Sequence, residues 1–424
     1  MVCGIESTRQ PKPGRSGQVG QRLPRTRDEG IEGDAVRQEH MRLLRTRDDR
    51  VAGARCRVVR GGGAVIRTYL PFAFLSASPD SRYLSGMEES GESGSVIDPG
   101  REIVEPHHHL WPYARMPQDW PGSGGGPRGY RLEELYADLC TGHNVVQTVF
   151  AQCGAHYRSE GPEHLRPVGE TEWVAQIARQ SRGGPGPEIA GIIAHADLTL
   201  GPALEEVLDA HEEAGDGCFC GIRDNLAYGD HRPGTEHAPG PAPPGRARDE
   251  AFRAGVRLLG RRGLPYESWH FHYQMDEFIA LARSAPETVM VLDHFGTPVG
   301  VGRYRSRRTE VFANLNQSMA AAAACPNVVA KLGGLAMWDN GFPWAERGVP
   351  ATARELVAAQ RSYYLHAIDC FGPERCMFES NFPVDRVSVT YRELYNAFKL
   401  MVSDFSEADK NALFSGTARR VYRL

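Results

Sequence analysis

Residues 103–111 read Ile103-Val104-Glu105-Pro106-His107-His108-His109-Leu110-Trp111: a short β-branched run ending in three histidines. An open, doubly wound sheet wants a Gly-rich phosphate turn after its first strand. Three imidazoles in that place argue for the other large α/β architecture, a closed (β/α)₈ TIM barrel. Side chains alternate along a strand, so Glu105, His107 and His109 share one face if the strand stays regular, and His108 points elsewhere. Two imidazoles one residue apart can reach a single metal ion from one side.

Outward from this stretch the pattern repeats. Runs of strand character follow at 145–150, 189–193, 218–223, 266–272, 289–294, 328–331 and 377–380, making eight with the first. Amphipathic helical segments alternate with them, among them 132–139, 202–213, 275–285 and 351–370. Eight β-then-α units over 101–424 predict one barrel with insertions at 229–248 and 333–349. Residues 1–100 mix Gly, Arg, Ser and Pro without apolar periodicity and are expected to form a disordered extension, with Met87 the expected natural start.

Composition narrows the function. The chain carries a formal net charge of −4, which gives no reason to expect nucleic acid or a membrane as partner. Nine cysteines show no C-x-x-C pair, and no stretch reaches the ~20 apolar residues of a membrane span. A cytoplasmic protein acting on a small-molecule substrate is expected, with assembly into a homo-oligomer left open.

In a barrel the active site lies at the C-terminal strand ends. Those ends hold Glu105, His107 and His109; Gln152; His195 and Asp197; Arg223; His270 and His272; Asp293 and His294; Lys331; and Glu379 and Asn381. Strands that only filled a core would not finish so consistently on charged groups and histidines.

The ordered set resembles the amidohydrolase-2 branch of the amidohydrolase superfamily, TIM-barrel hydrolases that include sugar-lactone and pyrone-dicarboxylate lactonases. The carrying stretches are E-P-H-H-H-L-W at 105–111, R-P-V-G-E-T-E at 166–172, H-A-D-L at 195–198 and G-I-R at 221–223. They continue with V-L-D-H-F-G-T-P at 291–298, V-V-A-K-L-G-G-L at 328–335 and R-C-M-F-E-S-N-F-P-V-D at 375–385. The resemblance implies a hydrolase, most simply one that opens a lactone. It implies His107, His109, His272 and His294 as catalytic imidazoles and, where a divalent metal (Zn or Mn) is bound, His107, His109 and His294 as ligands. Arg223 suits a substrate carboxylate or sugar oxygen, with Asn381, His270 and Lys331 as further substrate contacts.

Two departures stand out. Glu105 replaces the usual Asp, and Asn381 replaces the Asp many members carry after strand eight. An amide cannot take a proton from water, so the base is expected to be Glu379, Asp385 or a neutral histidine, and a tightly held metal is placed in doubt. The rival readings are a metal-dependent, non-oxidative decarboxylase of an aromatic or unsaturated acid, and a non-catalytic ligand-binding barrel.

Overall fold

The computed structural model describes residues 95–112, 129–229 and 242–424. The extension expected over 1–100 lies outside them except for its last residues, as does the middle of the 229–248 insertion. Residues 95–100 are pinned down: Ile97 N donates to Asn396 Oδ1 at 2.9 Å, and Lys399 Nζ to the Asp98 carbonyl at 2.9 Å.

Eight parallel strands pair in chain order. They are β1 (Glu102–His108), β2 (Asn144–Ala151), β3 (Glu188–Ala194), β4 (Phe219–Arg223), β5 (Tyr266–Ser268), β6 (Met290–Leu292), β7 (Val328–Leu332) and β8 (Cys376–Phe378). A parallel bridge between His108 and Phe382 joins the first strand to the segment just past the last. There His109 N donates to the Phe382 carbonyl at 2.8 Å and Asn381 N to the His107 carbonyl at 3.0 Å. The fold is the expected TIM barrel.

A helix follows each strand: α1 (Leu132–Leu139), α2 (Val168–Ser181), α3 (Ala203–Ala214), α4 (Glu250–Arg262), α5 (Met275–Ser284), α6 (Arg308–Ala323), α7 (Ala353–Phe371) and α8 (Tyr391–Met401). Local sequence sets their limits. Asp249 caps α4 by accepting from Ala251 N and Phe252 N, and Gly263 ends it at φ 67°. Gly255 sits mid-helix because a Cβ there would lie 2.2 Å from the Leu198 carbonyl oxygen. None of the described helices is long and apolar enough to cross a membrane.

Alternation along the strands sorts the interior. Ile103, Ile192, Ile222, Tyr266 and Leu292 face the helices, whereas Val104, Val149, Ile193, Val291, Val329 and Met377 meet inside. Two residues beyond Val291, Val329 and Met377 come Asp293, Lys331 and Glu379, and this spacing carries charged groups into the barrel mouth. The far end is closed by a last helix, α10 (Thr417–Tyr422), which follows the short α9 (Glu407–Asn411). It packs Ala418, Val421 and Tyr422 against the inner valines. Tyr422 donates its hydroxyl to Glu267 Oε1 at 2.5 Å in the buried interior.

Tyr422→Phe removes that donor while keeping the ring. It should lower unfolding stability by roughly 1.5–3 kcal/mol, the usual loss for a hydrogen bond to a charged group. Urea denaturation checks this, and an unchanged midpoint would show that the tyrosine hydroxyl is dispensable.

Candidate active site

The site is built on the ends of β1 and β4 to β8. In β1 the pairing with β2 is irregular between Glu105 and His108. That break turns His107 and His109 inward and leaves Glu105 facing α8. Glu105 Oε1 accepts from His107 N and Ser380 N at 3.0 Å each, and Oε2 from Tyr391 and Tyr395 at 3.1 and 2.8 Å. The shared face expected for Glu105, His107 and His109 is therefore corrected: the strand is not regular, and Glu105 is a brace behind the site. Burial pushes its carboxyl up to about 7. His108 points away, 2.9 Å from Thr148 Oγ1.

Around the two inward imidazoles the barrel gathers its charges. His107 Nε2 lies 3.3 Å from His109 Nε2, and His109 Nδ1 lies 2.8 Å from the Ala151 carbonyl. His107 Nδ1 stands 3.0 Å from Glu379 Oε2 and 3.1 Å from Lys331 Nζ. His294 Nδ1 meets Glu379 Oε1 at 2.6 Å. Arg223 donates through Nε to Asp293 Oδ2 at 2.9 Å and through Nη1 to the Gln152 carbonyl at 3.1 Å. Burial, reinforced by Lys331, holds the His107 pKa well below its ordinary value; burial and Arg223 do the same to His109. Burial also opposes a charge on His294, but the Glu379 carboxylate outweighs it and the pKa rises. Asp293 stays ionised because Lys331 and Arg223 outweigh its burial.

Two features of the backbone make this geometry. His294, Phe295, Gly296 and Thr297 all have positive φ (52°, 58°, 66° and 39°), so the chain doubles back as soon as β6 ends. Non-glycine residues pay for that conformation, which persists where packing enforces it. It lets neighbours in sequence, Asp293 and His294, both face the site. Gly334, at φ +67°, approaches so closely that a Cβ would sit 2.5 Å from His294 Nδ1.

Of the residues singled out in the sequence, the structure brings together His107, His109, His294, Glu379, Arg223 and Lys331. Lys331 is fully buried beneath the imidazoles. The others are placed differently. His270 packs on Phe278, with its nitrogens facing Ser268 Oγ at 2.9 Å and Met275 Sδ at 3.2 Å. His272 opens a 3₁₀ turn, accepts from Val299 N at 3.2 Å and packs edge-on to Tyr304. The strand expected to run to 272 stops at Ser268, so alternation no longer decides where these rings point. Asp385 accepts from Asn381 Nδ2 and Ala336 N, both at 2.9 Å, which commits both oxygens and ties two loops together. Asn381 itself takes φ 55°, a conformation Asn tolerates better than most residues.

Sequence reasoning gave no role to Asp293, although it named the residue at a strand end, and it overlooked Glu267. The signal for Glu267 was a carboxylate inside the short run Tyr266-Glu267-Ser268, where an apolar residue would fill the core. It accepts from Lys331 Nζ at 2.8 Å.

His107, Asp293 and His294 each offer a donor atom, all within 4.8 Å of one another, and Asp293 Oδ1 is buried without a hydrogen-bond partner. Two imidazoles and a carboxylate, all buried, suit a divalent ion by type and spacing. This group adds Asp293 to the expected ligands, and His109, the third expected imidazole, faces His107 across 3.3 Å.

Residues 104–424, from the histidine-bearing strand onward, match the family model described as Amidohydrolase. The chain belongs to the amidohydrolase family. This amidohydrolase is 30% identical over 332 residues to the uncharacterized protein y4mH of Sinorhizobium fredii, covering 76% of this chain and 98% of that protein. It is 25% identical over 327 residues to an L-fucono-1,5-lactonase of Burkholderia multivorans, covering 76% of this chain and 96% of the lactonase. An amidohydrolase from B. multivorans, solved with HEPES in one crystal and zinc in another, shares the fold. Its TM-score is 0.60 at 24% identity, with 76% of this chain and 99% of that one covered.

Gly334→Ala should displace the His294 ring, because the added methyl cannot fit beside it and the backbone resists φ +67° in alanine. A crystal structure of the variant should show the 2.6 Å contact between His294 and Glu379 lost. An unmoved ring would show that Gly334 is not what seats it.

Proposed function

We propose that this amidohydrolase opens a small-molecule lactone by attack of water, with the imidazoles polarising the ester carbonyl and Glu379 taking the proton from water. The observation that carries this reading is the state of Glu379. One carboxylate oxygen is engaged by His294, while Oε2 is buried, lies 3.0 Å from His107 Nδ1 and has no aligned hydrogen-bond partner. A base needs such a lone pair beside the group that activates the electrophile. Asp385, the other candidate, has both oxygens committed to Asn381 and Ala336. Its carboxyl, pushed up to about 7 by burial, serves as a brace.

A lactone fits this machinery better than an amide. Neutral imidazole donors and a guanidinium stabilise the oxyanion, and a cyclic ester needs less activation than an amide. The lactonase from B. multivorans, at 25% identity, supports the same choice. Arg223, 7% exposed and bound through Nε and Nη1, has its Nη2 left to offer a substrate oxygen.

A divalent ion, Zn or Mn, would be held by His107, Asp293 and His294. When bound it supplies Lewis-acid polarisation of the carbonyl. That donor set also keeps a second reading in play, decarboxylation of an acid chelated through its carboxylate.

A pH-indicator screen of sugar and aryl lactones should find turnover. Glu379→Gln should then lower kcat by about 10²–10⁴-fold, the range for losing a general base, and Asp385→Asn should cost much less activity and more stability. Release of CO₂ from an unsaturated acid with no lactone opened would move the assignment to decarboxylation. Ligand binding without turnover would favour a binding barrel. In equilibrium dialysis, zinc binding should fall in Asp293→Asn; undiminished binding would remove that carboxylate from the donor set.

A further inference from the structure

Opening a lactone takes two proton transfers. Glu379 accounts for the first, removal of a proton from water. The second is delivery of a proton to the ring oxygen, because an alkoxide is too basic to depart readily without one. His195, just past the end of β3, stands where such a donor is wanted. Ile193 belongs to the inner cluster of the barrel, so His195, two residues on, shares its inward parity. The register of β3 and β4 pairs Ile193 with Gly221 and Ala194 with Ile222, which makes Arg223 the next residue beside His195. Neighbouring strands lie about 4.8 Å apart, so the imidazole stands in the same layer of the mouth as Arg223. Three strands round the barrel from β8, His195 and Glu379 enter the mouth from different sides.

The ring is held for this task. Its Nδ1 lies 3.2 Å from the Arg223 carbonyl. A carbonyl only accepts, so Nδ1 carries a hydrogen and Nε2 is the nitrogen left to exchange a proton. Tyr157 stacks on the ring, with centroids 6.1 Å apart at 14°. Behind it stands Asp224, whose Oδ1 is 4.0 Å from Nδ1, buried and without a hydrogen-bond partner, while Oδ2 accepts from Arg246 Nη2 at 2.8 Å. His211 on α3 fixes the backbone here, its Nε2 lying 2.9 Å from the His195 carbonyl. Asp197 turns its carboxylate back to Thr199 and toward Arg246. The His195 side chain stays 23% exposed, unlike His108 and His270, which are fully buried among packing partners. Imidazole is the side chain that exchanges protons most readily near neutral pH.

We infer that His195 is the general acid of lactone opening, its Nε2 giving a proton to the ring oxygen as the C–O bond breaks. The inference rests on the lactonase reading and adds a second catalytic residue to it. The water oxygen bonds to the carbonyl carbon while its proton passes to Glu379. The bond between the carbonyl carbon and the ring oxygen then breaks, and its electron pair stays on that oxygen. The Nε2 proton of His195 joins it to give the hydroxyl of a hydroxy acid. Solvent takes the proton from Glu379 and returns one to His195, so one lactone and one water yield one hydroxy acid. The step asks nothing of His107, Asp293 or His294, which stay free to hold an ion.

The experiment compares the full-length wild type with His195→Gln on two substrates. One is an alkyl lactone that the wild type opens. The other is its analogue with fluorine on the carbon next to the one that bears the ring oxygen, which makes the departing alcohol more acidic. An acid matters most where the leaving group is most basic. On the parent lactone, His195→Gln should lower kcat about 10²-fold or more, the range for losing a general acid, with little change in KM. On the fluorinated analogue the loss should be smaller by roughly tenfold. His195→Asn should show the same pattern, and because the side chain is partly exposed both variants are expected to fold. Equal losses on the two lactones would overturn the inference in favour of a structural role. A rise in KM with kcat intact would overturn it in favour of a binding residue. A wild type that opens no lactone would sink the lactonase reading and this inference with it, whereas equal losses sink the inference alone.

Discussion

An ammonium and a guanidinium buried in the barrel among three carboxylates are the constraint on which the rest of this structure depends. Lys331 from β7 pairs with Glu267 from β5, and Arg223 from β4 pairs with Asp293 just past β6. Glu379, just past β8, closes the set against the β1 imidazole. Charges taken out of water are costly unless each finds partners of the opposite sign, and loss of one partner strands the others. The network therefore joins six of the eight strands through side chains as well as through backbone pairing. It also sets the direction of His107, which has the ammonium and a carboxylate on one edge and His109 on the other.

The backbone around the network is shaped to admit it. Glycine is needed at 333 and 334 because β7 must pass close to Glu379 and His294; a Cβ on Gly333 would lie 2.1 Å from the Glu379 carbonyl oxygen. Behind β1, Glu105 and its two tyrosines hold the irregular turn that swings His107 inward. Asp385 and Asn381 do comparable work after β8. These groups brace the segments that carry the imidazoles and so help to set which ring edges face the mouth.

Much of this was legible in the sequence. The eight runs, their order and the charged strand ends predicted the barrel, because a strand that finishes on His, Lys or Glu is costly anywhere but at a polar mouth. Extrapolating alternation beyond the strands was less reliable. It placed Glu105 beside His107, where a local irregularity sends it outward, and it extended β5 four residues too far, to His272 (266–272 expected, Tyr266–Ser268 found). Asp293 was named at a strand end without a role; neighbours in a strand point oppositely, and the left-handed turn at 294–297 brings both Asp293 and His294 inward. Lys331 was expected among the substrate contacts from its strand-end position, whereas its partners at 267 and 422, distant in sequence and paired only by the fold, were not foreseen.

The family assignment gives the architecture and a class of chemistry, and the arrangement of His107, His109, Glu379 and Arg223 gives it a direction: an electrophilic carbonyl held at the imidazole pair with a carboxylate base alongside. The most direct measurement is a crystal structure with a hydroxy-acid product or a tetrahedral phosphonate mimic bound. The account predicts one oxygen of the ligand within hydrogen-bonding distance of the His107 and His109 ring nitrogens, and another facing Arg223. Density for the ligand elsewhere, with those rings still paired to each other and untouched, would contradict it.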